Sequence, residues 1–359
     1  MQKLRFTGKG DFYRALRQRV DAHFKDHAIS KHDCPQMYLK TIIILTLFFS
    51  SYIALVFWVE SIWGALISGF CFAQSMVLIG FNIQHDGGHK GYSKHKRVNR
   101  IMSLTLDLIG CSHYLWDFKH NRLHHTYTNI EKLDDDIHAD PFLRLSPQQE
   151  WKPWHRLQAL YALPIYSLLS LRWVFVSDFK EFVTKRIGEF KLPEPPTRIK
   201  LFFYSSKLLY LLYMLVLPSL LHPIWHVFIA FAVIHLVLGL TISIVFQLAH
   251  TVESTSFPVP SRDPDQIENE WAIHQLETTA NFAPNNRIAS WYLGGLNYQI
   301  EHHLFSGINH IHYPKISGIV RKTCQEFGIS YHSTATFFGA VKSHLRFLHG
   351  LGTKPSLRS

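Results

Sequence analysis

Four apolar stretches, arranged as two close pairs, restrict this chain more than any other feature. TIIILTLFFSSYIALVFWV runs from Thr41 to Val59, and after Glu60 the run SIWGALISGFCFAQSMVLIGFNI continues from Ser61 to Ile83. A second pair, 201–221 and 224–249, is split by His222 and Pro223. A bilayer core requires roughly 20 apolar residues per helix, because lipid offers no partner to an open backbone group. The stretches therefore predict four transmembrane helices in two hairpins, each with a very tight turn. Segments 101–115 and 157–176 are also apolar, but the first carries Asp107 and the second Pro164, Arg172 and Trp173. They are expected as interfacial or cytosol-packed helices. The fold class expected is an all-α integral membrane protein, with interfacial helices and a cytoplasmic helical cap.

Lysine and arginine positions orient the spans. The N-terminal arm is basic from Lys3 to Lys40, no Lys or Arg occurs from Thr41 to His89, and the central loop is basic again (Lys180, Lys185, Arg186, Lys191, Arg198, Lys200). From Leu201 to Ser261 there is only Lys207. Loops rich in Lys and Arg stay in the cytoplasm, so both termini and the central region are expected there, with the two short turns outside. The net charge of +11 is thus topological, which removes nucleic acid as a partner. Cys34, Cys71, Cys111 and Cys324 form no CxxC pair and fit a reducing compartment. No signal peptide is expected. One domain, 1–359, accounts for the order: an arm (1–40), a first hairpin (41–83), a cytoplasmic or interfacial region (84–200), a second hairpin (201–250) and a cytoplasmic C-terminal region (251–359).

Three histidine clusters fall on the cytoplasmic side of that scheme. They are HDGGH (His85, His89), HNRLHH (His120, His124, His125) and QIEHH (Gln299, His302, His303), joined by His250 at the end of the last span. On a helix His85 and His89 share a face, as do His120 and His124, while His125 is turned about 100° away. Any one histidine at an interface is more often a packed or solvated residue than a ligand. Three clusters on one side are another matter and point to metal. Imidazole suits Zn, Cu, Fe and Ni, and the absence of cysteine from the clusters speaks against structural zinc or an Fe–S centre. The candidates exceed what one tetrahedral zinc can use. Two ions fit better, with a non-haem di-iron centre favoured. Asp86, Glu301, Asp134, Asp135, Asp136 and Asp140 are candidate acceptors for the ring N–H groups. His310 and His312 in NHIHYP are expected to pack or to support rather than ligate.

With these boxes, the two hairpins and the run HLFSGINHIHYP, the chain resembles the membrane fatty acyl desaturases along most of its length. Within them it looks closest to front-end enzymes of the delta-6 acyl-lipid type. The resemblance implies that His85, His89, His120, His124, His125, His302 and His303 bind two iron ions, that Gln299 replaces a third-box histidine, and that His250 matches an additional ligand. It implies O2 as co-substrate and a membrane lipid or acyl-CoA as substrate, in a bacterial inner or thylakoid membrane. Some relatives carry Asn one turn before that last histidine, where this chain has Phe246. No HPGG haem motif occurs, so the donor is expected to be a separate ferredoxin or cytochrome b5. Rival readings are a lipid or carotenoid hydroxylase or ketolase with the same centre, a membrane metalloprotease, and a metal transporter.

Overall fold

The apolar stretches become the four longest helices of the protein: Pro35–Trp58, Ile62–Gly88, Thr197–Ser219 and Ile224–His250. The computed structural model describes residues 4–261 and 266–354, so Lys3 of the basic arm lies outside them. At 1.5 Å per residue even the shortest helix reaches about 35 Å, enough to cross a hydrocarbon core. Side chains such as Ile42, Ile67, Leu208 and Ile229 point outward uncovered. Trp58 and Trp63, each 73% exposed, flank the first connector as interfacial anchors do. The protein is helical and membrane-spanning.

Two helices overrun the boundaries read from hydropathy. The first begins at Pro35, where proline occupies the first helical turn and loses nothing by lacking an N–H. It takes in Lys40, which hydropathy assigns to the basic arm. The second continues past Ile83 to Gly88 and carries His85 and Asp86 in its last turn. Between spans, the first span packs on the second and the second on the fourth. His222, in the second connector, pairs its Nε2 with the Val56 carbonyl at 2.8 Å. Both short connectors therefore lie at one end of the bundle, away from His85 and His250.

The two weaker apolar segments are also helical but broken. Residues 96–116 divide into Lys96–Ser103, Thr105–Leu108 and His113–Trp116, the last break falling at Gly110, whose φ of +93° a side-chain-bearing residue rarely adopts. Pro153–Ser167 and Leu169–Thr184 meet at 55°. This bent pair lies against the fourth span so tightly that a Cβ on Gly239 would stand 2.4 Å from the Ser167 carbonyl oxygen. The N-terminal helix Asp11–Asp26 buries Phe12, Leu16, Val20 and Phe24 beside Ile316 and Val320 of Tyr313–Glu326. Its spacing of four gives that single apolar face. Three pairs of two-residue strands qualify the all-α expectation: Arg5–Phe6 with Gln266–Ile267, Arg186–Ile187 with Phe190–Lys191, and Asn281–Phe282 with Ser333–Thr334. Two residues are too few to leave an alternating pattern in a sequence.

Lys207, the lone cation of the second apolar pair, is buried rather than interfacial. Its Nζ donates to Asp178 Oδ2 at 2.6 Å, the Gly110 carbonyl at 2.6 Å and the Val174 carbonyl at 3.1 Å. The same Asp178 oxygen accepts from the Ser112 N–H at 2.8 Å. Removing one partner of such a pair strands the other charge. Asp178→Ala should therefore lower stability by about 3–5 kcal/mol, seen as a fall in the thermal midpoint of the detergent-solubilised protein. The double variant Asp178→Leu with Lys207→Met should recover most of that loss.

Candidate metal centre

The first box is shaped by its two glycines. A Cβ at Gly88 would lie 2.2 Å from the Trp116 ring, and one at Gly87 would lie 2.6 Å from Met102 Cβ. Bare backbone at both positions lets Trp116 and the helix Lys96–Ser103 close against the end of the second span. Trp116 in turn stacks on His120, ring centres 4.6 Å apart, so the glycines of the first box help fix the second.

The second box is wound differently from the α-helical expectation. Asp117–His124 is a π-helix, and so is Ile79–Gln84 just before the first box. Such widened turns are frequent at functional sites, though Ala54–Trp58, Trp173–Ser177 and Leu212–Val216 are also π-helical here and carry no box. The extra residue per turn brings His125 back beside His120, with the two Nε2 atoms 3.3 Å apart, instead of pointing it to a separate location. The third box lies on the short helix Gln299–Phe305, wholly buried.

All eight candidate histidines converge. Ring nitrogens of His85, His89, His120 and His302 lie within 4.8 Å of one another, as do those of His124, His250 and His303. His125 forms a third such group with His302 and His303, and so stands between the two. The rings are close-packed: His85 to His302 is 4.4 Å, His124 to His250 is 4.7 Å and His125 to His303 is 4.3 Å between centres. Gln299 adjoins the second group, its side-chain amide 3.0 Å from His250 Nε2.

Outer partners orient the rings. His124 Nδ1 donates to Asp134 at 3.1 Å, His303 Nδ1 to Gln275 Oε1 at 2.6 Å, His302 Nδ1 to the Tyr313 hydroxyl at 3.3 Å, and His250 Nδ1 to the Thr278 carbonyl at 3.3 Å. Each proton is thereby held outward and each Nε2 lone pair inward, the arrangement metal-binding histidines adopt. Nε2 of His85, His89, His124, His302 and His303, and Nδ1 of His125, are buried without a partner among the described residues. An unpaired buried nitrogen costs about 1–3 kcal/mol. Nitrogens grouped in this way suit metal ions that accept their lone pairs. Burial, reinforced by neighbouring imidazoles, holds the pKa values of His89, His125, His302 and His303 well below the usual range, so these rings are neutral and ready to ligate. At His124 burial also acts downward, but the Asp134 and Asp136 carboxylates outweigh it and raise the value. The residues present fit a two-ion, histidine-rich metal site.

Other sequence candidates sit elsewhere. Asp86 touches no cluster histidine with its carboxylate, which accepts from His310 Nδ1 at 2.8 Å. Glu301 faces away, accepting from Asn281 Nδ2 and the Tyr331 hydroxyl, both at 2.8 Å, and burial pushes its carboxyl up to about 7. Asp135 bonds Lys119 at 2.7 Å, and His138 is the near neighbour of Asp140. His310 also meets Lys40 Nζ at 3.0 Å, and His312 meets Cys34 Sγ at 3.1 Å.

Several supporting residues escape a reading of the sequence. Gln275 carries no motif signal, and Tyr313 only its place after HIH. Asn129 is the last residue of HNRLHHTYTN. With φ of +58°, it turns its amide onto the carbonyls of His250, Ser256 and Thr278 at 2.8, 3.1 and 3.3 Å and ties the second box to the end of the fourth span.

The same residues identify the lineage. The model of the fatty acid desaturase family matches residues 57–335. The chain belongs to the fatty acid desaturase family. It is similar to proteins named sn-1 linoleoyl-lipid 6-desaturase from Synechocystis sp. (38% identical, 98% of each chain covered) and from Arthrospira platensis (39% identical, 99% of this chain and 97% of that one). An acyl-lipid (8-3)-desaturase from Physcomitrium patens is 36% identical over 95% of this chain and 72% of its own. The desaturase is therefore an oxidoreductase that introduces double bonds into fatty acyl chains.

Gln275 offers a test of the outer partners. Gln275→Leu in this desaturase should weaken metal binding by roughly 10–100-fold, measured by competition with a chelator of known affinity, while Gln275→Glu should largely restore it.

Proposed function

We propose that this protein is a front-end acyl-lipid desaturase that inserts a cis double bond into a linoleoyl-type chain, on the carboxyl side of an existing one. The observation that carries the metal chemistry is the set of buried, unpartnered imidazole nitrogens around one space. The substrate class rests on the cyanobacterial relatives, similar over nearly the whole chain. In this reading His85, His89, His120 and His302 hold one iron ion, His124, His250 and His303 the other, and His125 lies between. Gln299 serves as ligand or support: its Oε1 is buried and unpartnered among the described residues, while the neighbouring Phe246 ring packs on His124 and His250 at 5.1 and 4.8 Å. On that flank an aromatic surface replaces a polar one and Gln299 offers an oxygen, while the Asp136 carboxylate stands beside His120 and His124.

Two iron ions so held would supply the activation of O2 needed to remove hydrogen from two adjacent unactivated methylenes; the acyl chain would give two electrons and two protons, a donor two electrons and solvent two protons, and O2 would leave as two waters. The chain's own residues do the rest. Trp116 and Phe246 exclude water beside the histidines. Asp134, Gln275, Tyr313 and the Thr278 carbonyl hold the ring protons outward, so the inward lone pairs keep their aim without rearrangement. The helices form two transmembrane hairpins, with both termini and the region 84–200 on the cytoplasmic side and a helical cap formed largely by 251–359. A separate ferredoxin or cytochrome b5 is the electron donor. The single domain spans 1–359, in a bacterial inner or thylakoid membrane.

Expression in a host that supplies linoleate and a compatible donor tests this directly. Double-bond positions fixed by mass spectrometry should include a new one between the first existing bond and the carboxyl end; an alcohol or ketone would sink the reaction assigned. His124→Ala and His303→Ala should each abolish product and reduce bound iron in the purified protein. His23→Ala, in the N-terminal helix, should leave both unchanged.

A further inference from the structure

Three spans fix the depth of the short helix Arg287–Tyr292. The Lys40 ammonium of the first span stands 5.0 Å from the Trp291 ring. On the second span, Asn82 Nδ2 donates to the Tyr292 carbonyl at 3.2 Å, and Gln74 Oε1 accepts from the Tyr292 hydroxyl. On the fourth, Ala289 and Tyr292 border a cleft with Ile244 and Val245, and so does Phe337, the first residue of the helix Phe337–Gly352. Lys40, Asn82 and Val245 each lie five or six residues inside the end of their span nearest the histidine boxes, at Pro35, Gly88 and His250, or about 8–9 Å along the axis. Lys40 and Asn82 also adjoin the limits of the apolar runs, Thr41 and Ile83. After the fourth span, therefore, the chain returns below the span ends to the level where hydrocarbon begins.

What this segment turns outward is apolar. Ile288 is 82% exposed, Trp291 43% and Phe338, beside Phe337, 82%. Next to Lys40 the first span likewise exposes Leu39 and Ile42, so the outer surface of the spans adjoins this one. Cations flank the apolar side chains. Arg287 precedes Ile288, while Lys342 and Arg346 follow Phe338 by one and two helical turns and share its outer face. No Asp or Glu occurs from Thr278 to Ile300 or from Phe327 to Ser359. Apolar side chains at membrane depth with Lys and Arg beside them are the pattern by which a helix binds an anionic lipid surface. A two-fold contact between copies of the chain would instead set the same cations against each other.

We propose that Arg287–Tyr292 and the start of Phe337–Gly352 are seated in the leaflet nearest the histidine boxes, with Ile288, Trp291 and Phe338 in the acyl layer and Lys342 and Arg346 binding the headgroup of an anionic phospholipid. The C-terminal region is then anchored in the membrane just ahead of the third box, since residues 293–298 alone separate Arg287–Tyr292 from Gln299–Phe305. This inference needs only the membrane-spanning helices and is independent of the reaction assigned above.

The test uses the full chain in phosphatidylcholine nanodiscs, with Cys71, the one cysteine that is not buried, replaced by Ser. A nitroxide on Ile288→Cys or Phe338→Cys should be relaxed more strongly by O2, which concentrates in hydrocarbon, than by a water-soluble nickel chelate. A nitroxide on Lys322→Cys should show the reverse, because its helix Tyr313–Glu326 packs on the N-terminal helix. Nickel access at 288 and 338 equal to that at 322 overturns the insertion. Shielding from both reagents would mean that protein covers this face, and overturns it equally. Headgroup selection is read with the natural sequence and trace phosphatidylglycerol or phosphatidylcholine, each carrying a diazirine in its acyl chain. Crosslinks to residues 338–349 should favour phosphatidylglycerol. Lys342→Gln and Arg346→Gln should each lower that excess roughly fivefold, and Lys322→Gln should leave it unchanged. Equal crosslinking of the two lipids, or an excess that survives both substitutions, overturns the anionic site.

Discussion

The site depends on the burial of eight imidazoles packed ring against ring. Neutral histidine is a poor core residue unless both ring nitrogens are satisfied. At His124, His250, His302 and His303 the protein satisfies one from behind and turns the other toward the cluster. That requirement explains why the outer partners come from so many places: Asp134 from the loop after the second box, Thr278 and Gln275 from Trp271–Thr278, Tyr313 from the start of a later helix. No single segment can hold such a cage. The elements are bound to each other through it, and the four spans provide the fixed ends from which it is built.

Local backbone chemistry sets the spacing. The π-turns before the first box and through the second shift the register of the ring positions relative to an α-helix, and the paired glycines of HDGGH remove the Cβ atoms that would hold Trp116 away. Neither device stabilises its own helix. Wide turns have poorer hydrogen bonding, and glycine carries more conformational entropy to lose. Both are tolerated because the tertiary contacts they permit, Trp116 on His120 and His125 back against His120, exist only in that geometry.

How much of this could be read from the chain follows from the range of each interaction. The spans were legible because hydropathy is a local sum, and the boxes because their histidines are adjacent or one turn apart. Their boundaries were less so: Pro35 starts the first span inside a polar stretch, and the second outlasts its apolar run because His85 and Asp86 are buried. In sequence Lys40 closes the basic arm and Lys207 is the lone cation of the second apolar pair, yet each is buried by partners distant in the chain, His310 for one and Asp178 for the other. Gln275 and Asn129 carry no mark of their role, since what they hold lies tens to more than a hundred residues away. Asp86 and Glu301 illustrate the converse. Adjacency to a box made them attractive, but an i, i+1 neighbour on a helix points elsewhere, and their carboxylates serve His310, Asn281 and Tyr331.

Placement of the cage relative to the membrane bears on which carbon reacts. Histidines of the cluster are attached where the second and fourth helices end, so the proposed topology puts the centre near the polar boundary of the bilayer. A lipid substrate has its headgroup confined to that same boundary, because burying charged or strongly polar groups in hydrocarbon is costly. On that topology both ends of the ruler are referred to one plane, and the reacting bond would be set by how many methylenes separate the headgroup from the cage. Selection by distance from the carboxyl end, as proposed for this desaturase, then requires no recognition of the methyl terminus.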